Sequence, residues 1–122
     1  ISDPDFGEFG SKAENAPIRP VHKFKAHNAP LGLTFLKNQS NVYQDSALVA
    51  LHGSWNKSER DGYKVVSLSW RNGKIIESDF VSGFLSEGNV IGRPVDVLES
   101  KDGSIYISDD YADAIYQVSP LN

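Results

Sequence analysis

Four residues of this 122-residue sequence combine a chemically useful side chain with a position beside a turn. Arg93 precedes a proline, and an arginine can bind a carboxylate through two charge-assisted hydrogen bonds. Trp55 offers a flat face on which an aromatic ligand can stack. Gly53 lets the backbone next to one of the histidines approach a ligand closely. The candidate binding residues are therefore Arg93, His52, His27 and Trp55.

Three of the four candidates also have a structural explanation that needs no ligand. Arg93 can pair with Asp96 or with a neighbouring unit of the fold. Trp55 can fill a hydrophobic core, and His27 can be an ordinary surface residue of a loop. The sequence leaves both explanations open, so each binding role is a hypothesis.

Two adjacent carboxylates, Asp109 and Asp110, follow an alternating apolar run, where they could form part of a calcium site. Acidic residues at the end of a strand usually cap the following turn through hydrogen bonds to the backbone, and we favour that role. The sequence has no glycine-rich phosphate loop, no serine nucleophile motif and no histidine pair at metal-binding spacing. We therefore assign no catalytic residue and no metal ligand to this chain.

The composition excludes several classes of protein. There is no cysteine, which rules out disulfides, zinc–thiolate sites and thiol catalysis. No apolar run approaches the roughly 18 residues that a membrane-spanning helix needs. The formal net charge of −4 gives no basic surface for nucleic acid or for an anionic membrane. Because the chain begins at Ile1 without a methionine or a signal sequence, we expect a processed or excised piece of a protein.

Short alternating apolar runs separated by turn residues predict an all-β fold with essentially no helix. Asn72-Gly73 and Asp102-Gly103 each lie between two such runs, and both predict hairpin turns. The run 47–51 is apolar throughout, which is typical of a strand buried on both faces. The predicted strands are residues 31–36, 46–52, 63–70, 74–81, 94–99, 104–108 and 114–118.

The strands group into units of four, because a four-stranded antiparallel meander is one blade of a β-propeller. Residues 1–18 are predicted to be a lead-in arm or loop, followed by propeller blades over residues 19–122. Within these blades we predict a spare outer strand at 19–25, a complete blade at 31–81 and an incomplete blade at 93–119.

Four segments carry a family resemblance: residues 27–35, 47–56, 92–97 and 102–110. In this order they resemble the C-terminal part of the soluble quinoprotein sugar dehydrogenases. This is the glucose/sorbosone dehydrogenase family, which uses pyrroloquinoline quinone (PQQ). The resemblance covers about residues 19–119 and implies two blades of a six-bladed β-propeller, with the quinone on the axial face. A complete family member is roughly three times as long.

The resemblance implies the C-terminal portion of a PQQ-dependent aldose or sorbosone dehydrogenase-like protein, in which a sugar is oxidised by hydride transfer to the quinone. It implies Arg93 on a PQQ carboxylate, His52 and His27 near the ring edge, and Trp55 beside it. A second arginine of some family members is Val95 here. The family's catalytic base and calcium ligands lie in earlier blades, so we expect neither here. The alternative function is a propeller-derived binding or assembly module without turnover.

The resemblance also implies partners and a location. Two blades cannot close a ring, so the remaining blades must come from the same polypeptide or from other copies of the chain. If the strand at 19–25 completed the three-stranded blade of a second copy, three copies would form a closed ring. The other expected partner is the sugar substrate, and we expect no nucleic acid and no membrane span. The implied location is periplasmic or secreted.

Overall fold

The computed structural model describes residues 18–119, which form three antiparallel β-sheets and no helix. The long strands agree with the predicted ones to within one residue at each end, so the all-β prediction is confirmed. No helix of these residues is long and apolar enough to cross a membrane. The strands are β1 (Pro30–Phe35), β2 (Ala47–Leu51), β3 (Lys64–Arg71), β4 (Lys74–Val81), β5 (Leu85–Ser86), β6 (Asn89–Val90), β7 (Pro94–Glu99), β8 (Ile105–Asp109) and β9 (Ala114–Val118).

Two of the sheets carry most of the structure. The first sheet has the order β1-β2-β3-β4 and the second sheet has the order β7-β8-β9. Both predicted hairpins are confirmed. Asn72 and Gly73 join β3 to β4 with φ values of 51° and 73°, and positive φ at both positions is typical of a type I′ turn. Residues 100–104 join β7 to β8, where Gly103 N–H donates to Ser100 O at 3.0 Å.

The predicted strand at 19–25 is wrong, because this segment forms no strand in the structure. It lies against a face of the first sheet. Phe24 packs on the apolar cluster of that face, and His22 Nε2 lies 2.7 Å from Glu77 Oε2 on β4. Between β4 and β7, where the sequence predicts no strand, β5 and β6 form a short hairpin. All but one residue of the predicted lead-in arm, 1–18, lie outside the described residues.

The hydrophobic core has two parts, and β2 belongs to both because all five of its residues are buried. This confirms the predicted burial of β2 on two faces. The inner cluster lies between the first and second sheets. The outer cluster lies on the opposite face of the first sheet. The inner cluster is Leu36, Leu48, Ala50, Val65, Val97, Ile105 and Ile107, and the outer cluster is Ala47, Val49, Leu51, Val66 and Leu68.

Large apolar side chains remain exposed on the outward-facing side of each sheet. On the first sheet, Leu33 pairs in register with Val49 of the outer cluster and is 52% exposed. Phe35 stacks on Trp70 with ring centroids 5.9 Å apart, and both are exposed. On the second sheet, Ile115 is 75% exposed. Exposed apolar faces of this kind are typical of surfaces that pack against another element.

Glu99, at the end of β7, joins the two sheets at one end of the molecule. Its carboxylate accepts hydrogen bonds from Lys37 N–H (2.7 Å), Asn38 N–H (3.0 Å) and Gln39 Nε2 (3.1 Å). Partial burial alone would raise the pKa of Glu99, but these hydrogen bonds outweigh it and lower the pKa below its usual value. The charged carboxylate therefore stabilises the contact between the sheets.

Candidate binding site

The loops that carry His27, His52 and Arg93 meet at the other end of the two sheets, where β1 and β7 begin and β2 ends. His52 N–H donates to Ala29 O and Gly53 N–H donates to Asn28 O, each at 3.0 Å. Antiparallel pairing of β1 with β2 brings the first two loops together. Packing of β7 against both strands then brings in the third.

Arg93 is anchored by backbone carbonyl groups rather than by Asp96. Its Nε donates to His52 O at 3.1 Å and its Nη2 donates to Gly53 O at 2.7 Å. The guanidinium carbon lies 5.5 Å from the centre of the Tyr63 ring, within the range of a cation–π contact. Nε and Nη2 form one edge of the guanidinium group. The end with Nη1 and Nη2 still presents parallel donors that fit a carboxylate.

Gly53 has a close-packed position beside this anchor. Its φ is 94°, and a Cβ atom built on it would lie 2.6 Å from the Tyr63 ring. Tyr63 is buried, and its hydroxyl donates to Ser54 O. Only glycine fits here without strain. The absence of a side chain at position 53 therefore allows the Gly53 carbonyl group to lie where it accepts the hydrogen bond from Arg93.

A loop over residues 54–61 carries two more basic side chains. Ser54 N–H donates to Asp61 O (2.9 Å) and Asp61 N–H donates to Ser54 Oγ (3.1 Å), which closes the base of the loop. The Asp61 carboxylate lies 3.2 Å from Lys25 Nζ and 3.4 Å from Lys57 Nζ. Desolvation would raise the pKa of Asp61, but the hydrogen bonds and charge of these partners lower it below its usual value. Trp55 is 84% exposed, so it does not fill a core within the described residues.

These elements surround a cavity of about 330 Å³, which we call the cationic cavity. Three of its lining side chains are basic, three are aromatic and none is acidic. Its volume lies at the lower end of the range for small-molecule sites, which is about 300–1,000 Å³. A flat ligand with several negative charges matches this lining best. The lining residues are Ser54, Trp55, Lys57, Arg60, Tyr63, Val90, Arg93 and Tyr111.

The structure brings together two of the four predicted site residues in this cavity, Arg93 and Trp55. The His52 ring does not line it, because Nε2 donates to Asp110 Oδ1 at 2.8 Å, although the His52 carbonyl holds Arg93. His27 lies in an exposed turn with a φ of 68° and does not line it. The ligand-binding role of each of the four residues stays a prediction.

Sequence reasoning missed four of the charged and aromatic lining residues. The two basic ones, Lys57 and Arg60, lie in the loop that directly follows Trp55, and a basic loop next to a candidate stacking residue could have indicated them. Tyr63 and Tyr111 carry no such signal, because only the packing of the first sheet against the second places their rings around Arg93.

Asp109 caps the turn between β8 and β9, as the sequence predicts. Its Oδ1 accepts from the N–H groups of Tyr111 (3.0 Å) and Ala112 (2.9 Å). Asp110 instead binds the His52 ring, so the two carboxylates have separate partners and do not converge. Within residues 18–119, no group of three or more metal-ligating side chains is placed to hold a metal ion.

Two other cavities have similar volumes but a different chemistry. One, of about 330 Å³, lies on the second sheet and is lined by three aspartates and no basic residue. The other, of about 310 Å³, lies between the ends of the two sheets farther from Arg93 and has no charged lining residue. Neither offers cationic groups to an anion, so the cationic cavity is the best candidate of these three, all within residues 18–119, for an anionic ligand.

The sequence of residues 10–120 matches the model of a protein family described as TrAA12-like. The match spans most of the chain. The chain belongs to the TrAA12-like family. The predicted resemblance to PQQ-dependent sugar dehydrogenases is confirmed, because AA12 proteins are PQQ-dependent oxidoreductases.

Two relatives of this TrAA12-like chain have the following similarities. The chain is 35% identical over 125 residues to an uncharacterized protein of Borreliella burgdorferi, covering 93% of this chain and 32% of the relative. It is 32% identical over 130 residues to a pyrroloquinoline quinone-dependent pyranose dehydrogenase of Coprinopsis cinerea, covering 86% of this chain and 17% of the relative. The TrAA12-like chain thus spans a third or less of the length of these proteins.

Solved structures agree with this assignment. The holo form of the PQQ domain of the Coprinopsis cinerea pyranose dehydrogenase superposes with a TM-score of 0.59 at 29% identity, covering 77% of this chain and 27% of that one. A calcium structure of the Trichoderma reesei AA12 enzyme gives a TM-score of 0.65 at 20% identity, covering 93% of this chain and 34% of that one. The latter likeness concerns the fold alone.

Proposed function

We propose that this TrAA12-like chain supplies part of the PQQ site of a PQQ-dependent sugar oxidoreductase that acts on an aldose, sorbosone or another pyranose. The observation that carries the proposal is the cationic cavity. PQQ is a flat aromatic molecule with three carboxylates. The cavity offers three basic side chains and three aromatic ones in a volume of about 330 Å³.

The residues of the cavity fit this ligand through specific groups. Arg93 would bind one carboxylate through its Nη1 and Nη2 donors, since its other edge is anchored on two carbonyl groups. Arg60 and Lys57 would attract the remaining carboxylates. Trp55 and Tyr111 offer ring faces for stacking. When bound, PQQ would accept the hydride from the sugar, whereas these residues bind and orient it.

We also propose that His52 and His27 contact the ligand, although neither side chain lines the cavity. The ring of His52 is held by Asp110, so its contact with the ring edge of the ligand requires that this bond opens and that the imidazole turns toward the cavity. His27 lies in the exposed turn before β1, at the same end of the first sheet. Its contact with the ligand requires that the ligand extends beyond the cavity toward β1.

We further propose that the first and second sheets are two blades of a six-bladed propeller. The exposed apolar faces of both sheets support this, because each would be covered by a neighbouring blade. The other blades come from the same polypeptide or from other copies of the chain, and the family's calcium ligands lie on them. The similarity to PQQ-dependent sugar dehydrogenases leads us to place the protein in a periplasm or outside the cell.

Titration of the purified full chain with PQQ, followed by the absorbance of the quinone, tests the proposal. We expect saturable binding of PQQ, and absence of binding would reject the proposed function. Loss of the oxidised quinone absorbance on addition of an aldose is expected once the remaining blades, which carry the family's catalytic base, are also present. Saturable binding without any sugar-dependent change in that complete assembly would favour the alternative, a binding module without turnover.

A further inference from the structure

Asp109 connects two residues that line the cationic cavity, one directly before β7 and one in the turn between β8 and β9. It is buried, with only 4% of the residue exposed. Its Oδ1 accepts hydrogen bonds from the backbone N–H groups of Arg93 (2.9 Å), Tyr111 (3.0 Å) and Ala112 (2.9 Å). Arg93 and Tyr111 are both lining residues. One oxygen atom therefore fixes the backbone at two points of the cavity wall.

The bond to Arg93 is more than the turn between β8 and β9 requires. A turn cap needs only acceptors for the N–H groups two and three residues further on, which here belong to Tyr111 and Ala112. Arg93 is 16 residues away in the sequence. This third bond joins the start of β7 to the end of β8 at the point from which the guanidinium group extends.

Two further contacts hold the other oxygen atom of the Asp109 carboxylate. Tyr116 Oη donates to Oδ2 at 3.2 Å. A Cβ atom on Gly92 would overlap with Oδ2, so the backbone just before Arg93 lies directly against the carboxylate. Burial would raise the pKa of Asp109, but the hydrogen bonds that it accepts outweigh burial and lower its pKa below the usual value. The group is therefore ionised at neutral pH and accepts all four bonds.

We propose that Asp109 is a positioning residue for the cationic cavity: by fixing the backbone of Arg93 and Tyr111, it sets where the guanidinium group and the phenol ring face the ligand. The inference rests on the proposed function, in which the ligand is PQQ. Asp109 has no contact with the ligand itself. Its effect on binding depends on the position of its oxygen atom rather than on its charge.

Two substitutions separate position from charge. Asp109→Asn removes the charge but keeps an amide oxygen where Oδ1 lies, and its amide nitrogen can donate to Tyr116 Oη. Asp109→Glu keeps the charge but moves the carboxylate by one methylene group, against Gly92. Tyr116→Phe is the matched control, because it removes the bond to Oδ2 of the same carboxylate and leaves the bond from Arg93 N–H to Oδ1 in place.

The affinity for PQQ, measured by titration, is the first readout. We expect Asp109→Glu to weaken binding about tenfold or more, and both Asp109→Asn and Tyr116→Phe to remain within threefold of the unchanged protein. Equal losses for the Asn and Glu variants would overturn the inference, and so would a Glu variant with unchanged affinity or a Phe variant with the same loss. If the Glu variant does not fold, Asp109→Ser replaces it, because a hydroxyl group is too short to reach Arg93 N–H.

Hydrogen exchange of the Arg93 backbone amide is the second readout, and it needs no ligand. We expect exchange at least tenfold faster in Asp109→Glu and an unchanged rate in Asp109→Asn and Tyr116→Phe. An unchanged rate in the Glu variant would overturn the inference. If the unchanged protein does not bind PQQ, the proposed function fails, and the exchange rates alone decide whether Asp109 holds Arg93.

Discussion

Replacing Arg93 with alanine removes a side chain that both anchors the site and faces the proposed ligand. A hydrogen bond between charged groups contributes about 1.5–3 kcal/mol, so losing the bond to a PQQ carboxylate corresponds to about a tenfold to hundredfold weaker affinity. The same substitution removes the two bonds to the carbonyl groups of His52 and Gly53. Because water can replace the donors in an open cavity, these two bonds contribute about 1 kcal/mol each to stability.

Two assays measure these effects separately. Titration with PQQ gives the affinity, and thermal unfolding without ligand should show a melting temperature lower by about 8 °C, at about 4 °C per kcal/mol for a domain of this size. Arg93→Lys keeps the charge but not the paired donors, so its affinity for PQQ should lie between that of the unchanged protein and that of Arg93→Ala. Arg71→Ala is the matched control, because it removes the same charge at the far end of β3 and should leave the affinity unchanged. A folded Arg93→Ala variant that binds PQQ within twofold of the unchanged protein would refute the assigned role.

Three further predictions concern the fold and its surfaces. Glu99→Ala should lower the free energy of unfolding at pH 7 by about 2 kcal/mol, because two backbone N–H groups lose their acceptor in a partly exposed position. The pKa of Glu99 is lowered in the folded state from its usual 4.5, so its stabilisation is present above pH 4.5 and is lost as the pH falls through the lowered value. Urea unfolding of both proteins should therefore give curves that converge at low pH, and a constant difference down to pH 2 would contradict this. Gly53→Ala should weaken PQQ binding about tenfold, because it moves a carbonyl group that anchors Arg93. Gly73 also has a positive φ but lies in open space. Gly73→Ala should therefore cost about 1 kcal/mol of stability and leave PQQ binding unchanged. The 122-residue chain alone should self-associate in sedimentation experiments through the exposed face of β1, and Leu33→Glu should reduce this; a chain that is monomeric without the substitution would argue against the role of that face.

The strands could be predicted from the sequence because their signals are local. The alternation of apolar and polar residues in the sequence predicts β3 and β8, and Asn72-Gly73 predicts the turn after β3. The segment 19–25 misled the same reasoning. Its short half-apolar run, with Val21 and Phe24, predicts a strand, but Phe24 packs on the face of the first sheet instead of extending its edge. A pattern of apolar residues gives the side that is buried, and it cannot distinguish packing on a face from pairing at an edge.

The site could be predicted only in part. Arg93 and Trp55 combine a distinctive residue type with a turn, so the sequence indicates both. The carbonyl groups that hold Arg93 belong to residues 40 and 41 positions away in the sequence, and no local pattern predicts such a contact. The same holds for the His52 ring, which faces Asp110 across 58 positions. Long-range packing, rather than residue type, decides which functional groups reach the cavity.

Tryptophan fluorescence tests most directly whether the cationic cavity holds PQQ. The chain has two tryptophans, and only Trp55 lines the cavity, whereas Trp70 lies on the exposed face of the first sheet. Titration of the Trp70→Phe variant with PQQ should quench the remaining fluorescence with the same dissociation constant as the unchanged protein. The Trp55→Phe variant should show little saturable quenching. Saturable quenching that persists in Trp55→Phe and disappears in Trp70→Phe would place the ligand elsewhere and contradict the account.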